Sequence, residues 1–372
     1  MIMKSDTDLI TYFGSTRNLK KSTIDSYRFY IKEYSKYNEK TMVELLEEAE
    51  NEEEEGIRWK HRTLRKRLLS FRAYLYEKHA YSTARTRFSK LLAFYRHFEI
   101  EIHPLPPIST KNIDEEVISF KDLPDKDIIK KALKISTPLM RAIILFMSSS
   151  GCARMETLNL TIDDFIKATE SYHNSNNDIY EVLNILKDNQ SIIPLFYLRR
   201  QKTNKYYYTC CSPEATNEII NYLLSENRYL QPNSPLFKIS GQEFIKKFRA
   251  INEQLGLGKV GYNSRFRSHM LRKFHASQLR ENGLNMDTID ALQGRAKSEV
   301  RESYFFDNPE KIREEYIKHM DCLTINLDVN SLDIKSPEYV QLENENKDYQ
   351  KRMSKLENDI ANIMARLPGE GK

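Results

Sequence analysis

Apolar positions in the first hundred residues recur at spacings of three and four, the period that lays one buried stripe along a helix. Ile24, Tyr27, Ile31 and Tyr34 form one such stripe, with Ser22 placed as N-cap and Asp25 three residues on to complete a capping box. Leu64, Leu68, Phe71 and Leu75 mark a second helix over about Lys60 to Glu77, and Phe88, Leu91, Leu92 and Tyr95 a third over Ser82 to Phe98, each with Lys or Arg on its other faces. The pattern predicts an all-helical domain over residues 1–102.

At His103-Pro-Leu-Pro-Pro-Ile-Ser-Thr every period stops, because consecutive prolines remove backbone donors and push their predecessors toward extended geometry. A linker over residues 103–115 is expected. From 116 to 330 helical patterns (Met140 to Ser150, Pro213 to Ser225, Gly241 to Gly256, Met270 to Asn282, Met286 to Gln293) surround a β stretch near Ile193 to Cys211. Two apolar and aromatic runs there flank Arg199-Arg-Gln-Lys-Thr-Asn-Lys205, which predicts a hairpin with a basic tip, and a polar insert is expected near Glu170 to Gln190. The predicted fold class is mainly α with a small β-hairpin, an α+β arrangement. In the last stretch, 331–372, Tyr339, Leu342, Asn346, Tyr349, Met353, Leu356, Ile360, Ile363 and Leu367 alternate by three and four, a coiled-coil pattern with one Asn at an a position. A single amphipathic helix lying back on the body would show the same spacing.

A chain of 372 residues suits two domains plus an appendage. Its longest strongly apolar run, Ala142 to Met147, falls far short of the roughly 18 to 20 residues of a membrane span. A cytoplasmic protein without membrane contact is expected. Four cysteines, none in a CxxC pair, make neither a disulfide framework nor a zinc knuckle, and reduced thiols are expected. The net charge of +5 is modest, but its distribution is not even. Eight glutamates lie between Val43 and Glu55, and from Gly56 to Tyr76 there is no acid but seven Lys and Arg. Such segregation lets one face track phosphates, although a basic run alone is more often a solvated helix face. The string Gly256-Leu-Gly-Lys-Val-Gly261 matches a dinucleotide fingerprint only literally, since it follows a helical pattern and opens no helix. The sequence has no GxxxxGK[ST], HExxH or GxSxG, so nucleotide-driven and zinc-hydrolytic chemistries lose their usual marks.

Four short motifs become informative in their order: Ser150-Gly-Cys-Ala-Arg154-Met-Glu156, Gln201-Lys202-Thr-Asn-Lys205, His269-Met-Leu-Arg272, and Gly294-Arg295 followed nine residues later by Tyr304. Together, over roughly residues 8 to 320, the chain resembles the tyrosine recombinase (phage integrase) family. The resemblance implies a helical, SAM-like core-binding domain and a catalytic domain forming a C-shaped clamp on duplex DNA, with four protomers acting on two sites. It implies Arg154, Lys202, His269, Arg272, Arg295 and Tyr304 as the catalytic set, Glu156 beside them, Tyr304 as nucleophile and no cofactor or metal. The chemistry suits these residue types: guanidinium forks hold the non-bridging oxygens of a phosphodiester transition state, and a phenol with an ordinary pKa near 10 needs help to lose its proton. His269 would give that help and Lys202 would protonate the leaving 5′-oxygen, with Lys205 as competitor. Tyr316 is a rival nucleophile.

This chain departs from the family pattern in three places. Arg154 stands three residues after Gly151 where the family more often has two, Arg154 to Lys202 spans 48 residues, and Arg295 replaces the usual His or Trp. Arg58, Lys60, Arg62, Arg65, Lys66, Arg67, Arg85, Arg87 and Lys205 are the expected DNA-contacting cations. The function expected is a site-specific recombinase that integrates or excises a mobile element or viral genome, bound to the nucleoid and self-associating through its tail. A Xer-type chromosome dimer resolvase, or a DNA-binding relative that has lost catalysis, are the alternatives.

Overall fold

The computed structural model describes residues 5–109, 118–174, 178–189, 191–226, 228–295, 308–326, 349–350 and 352–356. The chain divides into two compact units, Met1–Val117 and Ile118–Lys372.

Among the described residues the first unit has five α-helices, α1 (Asp6–Thr16), α2 (Lys21–Asn38), α3 (Met42–Glu54), α4 (Thr63–Lys78) and α5 (Tyr81–His97). The three anticipated stripes are buried, Tyr27, Ile31 and Tyr34 on α2 meeting Phe71 of α4 and Tyr95 of α5. The start of α2 differs from expectation. Lys20 is its cap residue and Ser22 lies inside the helix, because the helix begins early enough for Leu19 and Ile24 to pack on the core. Helix α1 carries Gly14 where any Cβ would come within 2.6 Å of Ile24. Helix α3 arises from the acidic run, where Met42, Leu45, Leu46 and Ala49 are buried beneath the glutamates and Thr41 with Glu44 forms the capping box. The proline segment is not wholly a linker: Leu105 packs against this core and the Pro106 carbonyl accepts from Arg72, 2.8 Å.

Among the described residues, the helices of the second unit include α6 (Lys126–Lys134), α7 (Pro138–Ser150), α8 (Arg154–Asn159), α9 (Ile162–Ala168), α10 (Ile179–Lys187), α11 (Pro213–Ser225), α12 (Gly241–Gln254), α13 (Ser268–Glu281), α14 (Met286–Leu292) and a further one over Pro309–His319. The central helix is α7, with ten of its residues buried, and α11 and α13 pack on it. The expected hairpin is β1 (Leu195–Arg200) paired antiparallel with β2 (Lys205–Cys210), in a register that places Arg200 opposite Lys205 and leaves 201–204 as the turn. A second small pair, β3 (Lys259–Val260) and β4 (Asn263–Ser264), is formed by and just after the glycine string, with Gly261 between the strands. The segment expected as a polar insert contains α10, whose Val182, Leu183 and Leu186 belong to the core. The segment reads as polar because of the flanks of the helix, His173 to Asp178 and Asp188 to Gln190.

Cys152, Cys210, Cys211 and Cys322 are free thiols. Among the described residues no helix is long and apolar enough to cross a membrane. The predicted coiled-coil tail lies outside the described residues except for 349–350 and 352–356, where Tyr349, Met353 and Leu356 are exposed.

Candidate functional site

The site is organised around two glycine turns that face each other. Helix α7 ends at Gly151 with φ +67°, and α14 is followed by Gly294 with φ +57°. Left-handed backbone favours glycine at both, and space requires it too. A Cβ on Gly151 would lie 2.6 Å from His275 Nδ1, and one on Gly294 would lie 2.5 Å from the Tyr207 ring.

Arg272 of α13 lies between these turns. It is 7% exposed, and its Nη1 donates to the Gly151 carbonyl (2.6 Å) while its Nη2 donates to the Gln293 carbonyl (2.7 Å). Burial pushes its pKa down, and the neighbouring Arg200 acts the same way, while Tyr207, Cys152 and Glu156 oppose the shift. Buried Gln293 closes the arrangement, its Nε2 donating to the Arg272 carbonyl (3.0 Å) and to His275 Nδ1 (2.9 Å). His275, fully buried, is held neutral with its pKa lowered to about 3 by desolvation and by Arg272 and Arg295. This Gln and His were not singled out from sequence, and a polar pair within apolar neighbours is the only signal that could have marked them.

The other expected residues fall as follows. His269, second residue of α13, presents an exposed ring near Arg272. Partial desolvation and the positive charges of Lys273, Arg267, Arg272 and Arg295 lower its pKa, so it is neutral and able to accept a proton near pH 7. Arg295 is half-exposed and paired with Asp290 at 3.0 Å. Lys202 is exposed in the hairpin turn and Lys205 opens β2. The hairpin is tied to the end of α7 by Thr209 Oγ1, which donates to the Ser150 carbonyl at 2.9 Å, and by Tyr207 Oη, 3.5 Å from the Cys152 thiol. Glu156 is buried on α8, and its Oε2 has no hydrogen-bond partner among the described residues. Arg154 is the first residue of α8 and exposed, with no ion pair among the described residues. Tyr304 lies outside the described residues. Its rival Tyr316 is fully buried and donates to the Ser149 carbonyl (2.9 Å), with its pKa well above 10 through desolvation. That phenol has no access to a substrate.

Arg200 was read from sequence only as part of a hairpin tip. It ends β1 on the inward face, in phase with buried Phe196 and Leu198, and donates to the Gly294 carbonyl. Alternation along the strand is the signal that would have separated it from outward Arg199.

In the first unit the expected DNA-contacting cations divide. Arg58, Lys60, Lys66 and Arg85 are exposed and Arg65 half-exposed. Arg62, by contrast, is buried with its guanidinium on Glu53 and the Ile57 carbonyl. Arg67 holds Glu48 with two nitrogens at 2.9 and 3.1 Å, and Arg87 pairs with Glu33 at 2.6 Å over the Phe29 ring. The basic face is therefore narrower than the sequence suggests, because acids remote in sequence neutralise these three. Exposed Arg85 lines a cavity of about 500 Å³ with Tyr27, Ser82, Thr86, Ser89 and Lys90.

Residues 125–310, half of the chain, match the phage integrase family. No curated protein matches the sequence. Among solved structures, the chain is similar to the Tn1549 transposon integrase in complex with circular intermediate DNA, with 12% identity and a TM-score of 0.50 over 83% of this chain and 98% of that one. It is also similar to the XerH site-specific recombinase bound to its difH substrate (15%, TM-score 0.49, 83% of each chain) and to a lambda integrase tetramer bound to a Holliday junction (16%, TM-score 0.46, 81% of this chain and 78% of that one).

Proposed function

The chain belongs to the phage integrase family and is a tyrosine recombinase, and from that premise we propose that it cuts and rejoins duplex DNA through a 3′-phosphotyrosyl intermediate on Tyr304. The observation that carries this reading is Arg272, a buried guanidinium oriented by two neutral carbonyls. Among the described residues no carboxylate accepts from it, although buried Glu156 lies near enough to favour its charge, and the guanidinium is available to a phosphate. In the proposed step the Tyr304 oxygen attacks phosphorus and passes its proton to His269. The bond to the 5′-oxygen breaks, and Lys202 protonates that oxygen, with Lys205 as the competing donor. Arg272 and Arg295 hold the non-bridging oxygens, and Arg154 could join them only if DNA draws its exposed side chain inward. Because the phosphotyrosyl bond conserves the energy of the broken diester, attack by the 5′-hydroxyl of a second strand reverses the step without nucleotide, cofactor or metal.

Two duplexes present four strands to be cut, and one nucleophile per cut calls for four protomers, with the tail seam as a means of self-association. Exposed Arg58, Lys60, Arg65, Lys66 and Arg85 would contact phosphates from the helical unit. The role in integrating or excising a mobile element, acting on DNA in the cytoplasm, belongs to the same proposal. A nicked suicide duplex in EDTA tests it: wild-type protein should become covalently attached to DNA, and Tyr304→Phe should bind the duplex but form no adduct. A protein that binds the site and never forms the adduct would be a DNA-binding relative without catalysis.

A further inference from the structure

We propose that Arg200 is a catalytic residue of the strand-cleavage step, contributing a guanidinium to the scissile phosphate beside Arg272 and Arg295; the inference rests on the recombinase reading above. Arg200 ends the strand that leads directly into the turn carrying Lys202, so one hairpin carries both cations. Its Nη1 donates to the Gly294 carbonyl and, at 3.5 Å, approaches the Gln293 carbonyl. Arg272 donates to that same Gln293 carbonyl, and Arg295 follows Gly294 in the chain. Two arginines thus converge on the Gln293 and Gly294 carbonyls, and a third, Arg295, follows them in the chain.

The partners matter more than the number. Carbonyl oxygens orient a guanidinium without neutralising it, and the partly exposed Arg200 and buried Arg272 sit close enough for one to disfavour the charge of the other. Among the described carboxylates, buried Glu156 acts on Arg272 only through its charge, without accepting from it, and Asp290 is engaged by Arg295. Two like charges held together in a partly desolvated place are unfavourable until an anion enters between them. A phosphodiester is such an anion. By contrast Arg154, on the exposed start of α8, is not gathered into this group.

The test is single-turnover cleavage of two suicide duplexes, one with an ordinary scissile phosphate and one in which a methylphosphonate makes that group neutral. On the ordinary phosphate Arg200→Ala should cleave about a hundredfold more slowly than wild type, the scale of losing one transition-state donor, with duplex affinity within a few fold. On the methylphosphonate the gap between variant and wild type should close to within about threefold, because there is no charge left to balance. A merely structural role would leave the gap open on both substrates. A persistent gap, or full activity of Arg200→Ala on phosphate, overturns the proposal. Should Arg200→Ala not fold, Arg200→Lys takes its place, with a smaller defect on phosphate that must likewise close. Wild type that cleaves neither duplex would instead sink the recombinase reading itself.

Discussion

In the helical unit Arg62, Arg67 and Arg87 face the carboxylates of Glu53, Glu48 and Glu33, whereas in the second unit Arg200 and Arg272 face backbone carbonyls. The side chains are the same, and the difference lies in what receives them. A carboxylate cancels the charge and turns the arginine into a brace between helices. A carbonyl orients the guanidinium and leaves its charge available to a ligand. Arg295, half-exposed and paired through one nitrogen with Asp290, stands between the two cases. The lesson is that a count of basic residues overstates a DNA-binding face wherever acids elsewhere in the sequence fold back onto it.

The largest effect should come from the carbonyl-held class. Arg272→Ala should lower covalent adduct formation by about 10² to 10³, while duplex affinity changes little. Adduct yield on a suicide substrate checks this, and an unimpaired variant would make Arg272 a brace like Arg67. Next, Arg62→Met should cost the helical unit about 2 kcal/mol, since it removes the cation from the Glu53 carboxylate, which keeps the Glu101 amide, and unpairs the Ile57 carbonyl. Urea unfolding measures that cost. Cleavage per folded molecule should stay at the wild-type level.

Smaller effects sharpen the boundary between the classes. Replacing exposed Arg58, Lys60 and Lys66 by glutamine should reduce the slope of log K against log salt by about 0.9 for each phosphate no longer neutralised, whereas Arg67→Gln should leave the slope alone. The smallest expected effect is on acid stability. Burial alone would raise the Glu48 pKa, but hydrogen bonds from Arg67 and Lys40 outweigh it and hold the value below the ordinary carboxylate range. The unfolded chain then binds this proton more readily, so the stabilisation is full above an unfolded carboxylate pKa of about 4.3 and is lost as pH falls through the lowered folded value. Thermal unfolding below about pH 5 should show this loss in wild type and a flatter profile in Arg67→Ala.

Helices with a clean apolar stripe were legible from local pattern, and α11 begins and ends where its spacing indicated, at Pro213 and Ser225. Helices α3 and α10 were not. In α3 four buried apolar residues are hidden among glutamates, and in α10 three are hidden in a polar segment. Average polarity masks a narrow stripe, which becomes decisive only when a partner face exists to cover it. The tight φ > 0 turns at Gly151 and Gly294 follow the same logic, since the need for glycine comes from His275 and Tyr207, far away in sequence.

By itself the sequence determined the division into a helical and a mixed unit, the hairpin with its basic tip, and a resemblance to the phage integrase family that the match over 125–310 bears out. These are properties of local period and of motif order, which survive reading one residue at a time. Tertiary structure decided which arginines keep their charge. It buried Arg62 on Glu53, paired Arg67 and Arg87 with remote acids, turned Arg200 inward to the Gly294 carbonyl and left Arg154 at the surface. A guanidinium has the same charge anywhere in a sequence, and only the groups that the fold brings within hydrogen-bond reach determine whether that charge is cancelled or held ready.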